Sequence, residues 1–85
     1  MVSLEKMSPT IFREKGYRVY FFSLEENRMH VHVTCSDGDA KFWMEPEIEL
    51  AMSRGIARHQ ENEIRRLLEG RRDEITRAWN EHLGS

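Results

Sequence analysis

Met29-His30-Val31-His32-Val33-Thr34, joined through Cys35-Ser36-Asp37-Gly38-Asp39 to Ala40-Lys41-Phe42-Trp43-Met44, decides the fold of this 85-residue chain. Side chains alternate faces along a strand, so an extended 29–35 segment sets His30, His32 and Thr34 against Val31, Val33 and Cys35. Asp-Gly is a hairpin signal because both residues tolerate positive φ. A tight turn on Asp37-Gly38 would bring Thr34 beside Lys41 and His32 beside Trp43. Lys41, Trp43 and Glu45 then share one face of the return strand, with Phe42 and Met44 on the other.

Working outward, Tyr17-Arg18-Val19-Tyr20-Phe21-Phe22 is rich in β-branched and aromatic residues and predicts a strand. A short apolar run, Thr10-Ile11-Phe12, precedes it and is closed by Gly16; Glu25-Glu26-Asn27 predicts a turn after it. Pro46 ends the return strand because proline has no N–H to donate. Ile48 and Leu50 alternate with Glu47 and Glu49, which suggests a further short strand before Ser53-Arg54-Gly55. Beyond it, Ile64, Leu67, Leu68, Ile75, Ala78 and Trp79 keep a single helical phase across Gly70. The expectation is an α+β domain: an antiparallel meander of four or five strands with one long C-terminal helix packed on one face.

Residues 8–83 are expected to form this single domain, with residues 1–7 a disordered N-terminal extension. A helix from Arg58 to His82 would be about 37 Å long, against about 23 Å for a seven-residue strand. The mismatch leaves two outcomes, a bend at Gly70 or a helix end that packs on another chain. The second is preferred because a domain this small gains by sharing a core, and it predicts a homodimer through the C-terminal helix.

Charge narrows the function classes. The chain carries 13 Lys and Arg against 15 Asp and Glu, for a net charge of −2. No concentrated basic footprint stands out, so nucleic acid is not the favoured partner. Arg58, Arg65 and Arg72 recur every seven residues, but Glu61, Glu69, Asp73 and Glu81 stand at i,i+4 spacing to Arg65 or Arg77. That pattern predicts a solvated, ion-paired face. The single cysteine, Cys35, excludes an internal disulfide, and no apolar run approaches the roughly 20 residues of a membrane span. These features and the lack of a signal-peptide core predict a cytoplasmic protein with no membrane partner.

His30 and His32 are the candidate catalytic residues, as an acid–base pair. They could also begin a zinc site completed by Asp37, Asp39, His59 or His82, but His-X-His alone is weak, so no metal and no cofactor are expected. Thr34, Lys41 and Trp43 are the candidate binding residues, because an aromatic and a cation on one surface suit recognition. The competing reading packs Trp43 beneath the helix.

The chain resembles the bacterial domain-of-unknown-function 4160 family. The resemblance runs through Ser8-Pro9-Thr10-Ile11-Phe12, Gly16-Tyr17-Arg18, Phe21-Phe22-Ser23 and His30-Val31-His32-Val33. It continues in Gly38, Ala40-Lys41-Phe42-Trp43, Pro46, Glu49-Leu50-Ala51, Gly55, Glu74-Ile75 and Ala78-Trp79-Asn80-Glu81. This sequence departs from it with Met29 where a proline usually stands, and with Ile56-Ala57-Arg58 in place of a Ser-Pro-type helix start. Members look like small bacterial products often encoded beside a protein of the domain-of-unknown-function 2442 type, an arrangement similar to toxin–antitoxin pairs. The resemblance therefore implies an interaction module with a small partner protein encoded nearby, the alternatives being a small nuclease or phosphoesterase or a nucleic-acid-binding regulator. Whether the chain is an enzyme stays open.

Overall fold

A computed structural model of the chain describes residues 10–21 and 28–84, with side chains as far as residue 81. The expected turn at Glu25–Asn27 and the extension at residues 1–7 lie outside the described residues. Among the described residues five strands follow one another: β1 (Thr10–Glu14), β2 (Tyr17–Tyr20), β3 (His30–Thr34), β4 (Asp39–Trp43) and β5 (Glu49–Arg54). They form one antiparallel sheet in the order β1-β2-β3-β4-β5, the expected meander. Two helices among the described residues complete the α+β architecture, α1 (Arg58–Gly70) and α2 (Arg72–Gly84).

The tight hairpin is not where the Asp-Gly pair suggested. Lys15 and Gly16 both take positive φ, 53° and 84°, and close a two-residue turn with Glu14 opposite Tyr17. The β3–β4 connection is wider, with Thr34 opposite Asp39 and the Cys35 N–H donating to the Gly38 carbonyl at 2.9 Å. This moves the register by two residues from the expected one: His32 faces Lys41 and His30 faces Trp43. A shift of two leaves every side chain on its expected face.

Gly38 sits against the β5–α1 turn, and this contact sets the loop's width. A Cβ on Gly38 would lie 1.9 Å from the Arg54 carbonyl oxygen, and one on Gly55 would lie 2.5 Å from the Asp37 carbonyl oxygen. The two turns therefore pack backbone to backbone. Gln60 ties them to the helix: its Nε2 donates to Asp37 at 2.8 Å, and its Oε1 accepts the Ala57 N–H at 2.9 Å. The second bond does the capping that Ala57 cannot do with its own side chain.

The expected single helix is two. Arg71 separates them, its N–H shared between the Leu67 and Leu68 carbonyls at 3.2 Å. Gly70 brings poor helix propensity to the break. The Arg71 guanidinium is drawn to β1, where it meets Glu14 at 2.9 Å and lies 4.2 Å above the Phe12 ring, while also bonding Glu74 at 3.1 Å. The apolar phase survives the break, since Ile64, Leu68, Ile75 and Trp79 are all buried within this chain. The overhang on which a shared helix end was argued is thus absent.

The helices lie on the face that carries Phe12, Val19, Val31, Val33, Ala40 and Phe42, which form one core with the helical stripe. Two of the three regularly spaced helical arginines, Arg65 and Arg72, act as anchors, while Arg58 is exposed. Arg65 donates to the Ile48 carbonyl at 2.6 Å and Arg72 to the Pro46 carbonyl at 2.8 Å, while Glu61 accepts from Ser53 of β5 at 2.8 Å. A charged donor satisfying a carbonyl of an irregular connection gains more than an exposed ion pair would.

Tyr17 joins sheet to helix through its hydroxyl, which donates to Glu63 at 2.9 Å. Burial first, and then that bond to a carboxylate, push the Tyr17 phenol up from 10.0 to about 12. The folded state therefore holds this proton after the unfolded state has lost it. The contribution to stability is complete below pH 10 and is lost as pH rises through 12. Urea midpoints measured across that window should fall with pH in the native protein, and Tyr17→Phe should flatten that fall.

Candidate functional site: the open face of the sheet

The two-residue alternation that buries Val31, Val33 and Phe42 turns their neighbours to the opposite face. Pairing across the sheet aligns Tyr20 with His32, His32 with Lys41, and His30 with Trp43. Arg18, Thr34, Asp39 and Arg54 line up in the same way in the next row. Trp43 is half-buried on this face, so the reading that placed it beneath the helix is overturned.

The rings form a connected row. Tyr20 and His32 lie 5.7 Å apart, His32 and His30 5.6 Å, and His30 and Trp43 5.8 Å, the last two contacts edge-on. Cations sit on the row: Arg18 is 4.3 Å above Tyr20, and Arg28 and Lys41 lie 4.3 and 4.5 Å from the Trp43 ring. Such contacts hold a long side chain in place and add about 0.5–1 kcal/mol each at exposed sites. They also mean that the ring faces of Tyr20 and Trp43 carry positive charge outward. Of the carboxylates nearby, Glu49 pairs with Arg28 at 3.4 Å and Asp39 with Arg54 at 3.3 Å, while Glu45 accepts the Met29 N–H at 3.0 Å.

The two histidines part company here. His30 is 2% exposed, so the two candidate acid–base residues are not equally accessible. Its ring is held edge-on by Trp79 of α2 at 5.4 Å as well as by Trp43. Its Nδ1 lies 2.8 Å from the Arg28 carbonyl oxygen, and because a carbonyl can only accept, Nδ1 carries the proton. That nitrogen is spent on structure. His32, half-buried at the centre of the row, is the histidine that the open face presents.

The proposed metal partners do not gather around this pair. Asp37 accepts from Gln60 and Asp39 pairs with Arg54. His59 is exposed on α1, and the His82 side chain lies outside the described residues. Among the described residues no three of His, Cys, Asp and Glu converge in a way that would hold a metal ion. No helix among them is long and apolar enough to cross a membrane.

Lys41, Trp43 and Thr34 do share one surface, as expected, though with Lys41 opposite His32 rather than Thr34. Arg18, Tyr20 and Arg28 were missed. The alternation that marked His32 also marks Arg18 and Tyr20 as outward partners of Val19, so those two were legible in β2. Arg28 precedes the strand, and only the folded chain brings it over Trp43.

Fold and site together define a small α+β protein in which a helical layer covers one side of an antiparallel meander and a ring-and-cation row occupies the other. The chain belongs to the family described as Domain of unknown function (DUF4160), whose model matches residues 16–80. No curated protein and no solved structure matches it.

Proposed function

We propose that this protein is a small cytosolic interaction module that takes a protein partner on the open face of its sheet. The observation that supports this reading is the row Tyr20–His32–Trp43 with Arg18, Arg28 and Lys41 laid against it. Anchored aromatics and cations are the residue types that carry binding energy at protein interfaces. Because cations cover the ring faces, the surface favours an acidic partner over one that stacks bare rings. In the gene arrangement that the family resemblance implies, the partner is the small protein encoded alongside, one half of a toxin–antitoxin-like pair.

Less supports the alternative, a small nuclease or phosphoesterase with His30 and His32 as acid and base. His30 is buried and its Nδ1 is committed, Glu49 and Asp39 are paired with arginines, and the Glu45 carboxylate accepts the Met29 N–H. Co-expression with the neighbouring small protein, followed by calorimetry of the purified pair, tests the proposal. Trp43→Ala and Lys41→Glu should each weaken the complex, Trp43→Ala by about 2 kcal/mol or roughly thirty-fold, while circular dichroism stays native. An undiminished complex in both variants would count against this face. Cleavage of RNA or DNA by the native chain, abolished in His32→Ala, would favour the enzyme instead.

A further inference from the structure

β5 ends the sheet, and among the described residues no strand lies on its outer side. Its outward N–H and C=O groups form an open ladder of the kind that proteins usually blunt with lysine, proline or inward charge. The centre of β5 carries no lysine, proline or inward charge, and what interrupts its ladder is a bulge at Ala51. Ala51 and Met52 are exposed there, and Met52, at 44%, is the exposed large hydrophobic residue among those described.

A β-bulge sets the pattern along this edge. Lys41 pairs with Met52 but Phe42 pairs with Leu50, so Ala51 is the extra residue. The bulge brings Glu49 and Arg54 onto the same face despite their odd spacing, opposite Trp43 and Asp39 respectively. Leaving out the bulged residue, the open-face sequence of β5 is acidic, apolar, basic: Glu49, Met52, Arg54. That sequence is complementary to itself when reversed.

We propose that the outer edge of β5 pairs with the same edge of a second copy of this chain. A two-fold axis perpendicular to the sheet runs the two β5 strands antiparallel and keeps both open faces on one side. Met52 then meets Met52 of the copy at the axis, and Glu49 meets Arg54 at both ends. Both charges are available for exchange. Their side chains are 67% and 74% exposed, and their partners within the chain stand 3.4 and 3.3 Å away in surface pairs of little worth. Two five-stranded sheets become one, with both helical layers beneath it. This is independent of what the open face binds, and it would present that face twice.

Sedimentation equilibrium of the full chain over roughly 10 to 500 micromolar reads the association directly. A monomer–dimer equilibrium is expected, weakened by about ten-fold or more in Met52→Lys, which sets like charges against each other at the axis. Glu49→Arg makes both ends of the edge basic, and Arg54→Glu makes both acidic. Each variant alone should fail to self-associate, while an equimolar mixture of the two should form a mixed dimer. Circular dichroism checks that these exposed substitutions leave the fold intact. A native chain that stays monomeric throughout would overturn the proposal. So would a dimer unmoved by Met52→Lys, or two charge variants that do not associate on mixing, since either places the contact elsewhere.

Discussion

Gly38→Ala should cost about 3 kcal/mol or more, a large share of the stability of a domain this size. The added methyl would lie 1.9 Å from the Arg54 carbonyl oxygen and 3.0 Å from its carbon. Both are main-chain atoms of β5, so no rotamer change relieves the clash; the β3–β4 and β5–α1 turns must separate. Separation would also strain the Gln60–Asp37 bond and, with it, the start of α1. A domain of this size holds only about 5–10 kcal/mol in total. Gly70→Ala provides the contrast, because a methyl there meets nothing within 4 Å. It should be neutral or stabilise by up to about 1 kcal/mol. Urea denaturation of both variants and the native chain decides the matter; a Gly38→Ala midpoint equal to native would show that the two turns are not in contact.

Trp79→Ala should cost about 3–5 kcal/mol, the range for removing a buried aromatic without collapse of the site. Trp79 is 5% exposed and meets Phe21 edge-on at 5.3 Å and His30 at 5.4 Å. Its loss takes away one wall of the His30 site as well as the main anchor of α2, so part of the cost falls on a polar ring left beside a cavity. Trp79→Phe keeps an aromatic edge there and should lose clearly less. The histidine resonances offer a second readout: in Trp79→Ala the His30 ring should exchange with solvent faster, while His32, on the open face, should change little. A loss below about 1 kcal/mol would mean that α2 is held mainly by Ile75 and the Arg71 contacts.

Where the pattern was local, the sequence was enough. Alternation in Tyr17–Phe21 and His30–Thr34 told strands and faces apart, because period two sends neighbours to opposite sides whatever lies above them. The stripe Ile64, Leu68, Ile75, Trp79 identified the buried side of the helical region, since its phase tolerates a one-residue interruption. Thr34, His32, Lys41 and Trp43 could be placed on one surface for the same reason, even with the register two residues off. Decisions that depended on distant partners were not legible. The width of the β3–β4 loop follows from the Gly38–Arg54 approach, a contact across 16 residues that no dipeptide preference encodes. The helix break depends on Glu14 and Phe12, which draw Arg71 toward β1. His30 and His32 look equivalent in the sequence, yet Trp79, which arrives with α2, buries one and leaves the other on the open face. Local periodicity thus determined which residues share a face, because that is a property of the backbone repeat. Tertiary packing alone decided which of those residues are covered, which is a property of what the rest of the chain brings to them.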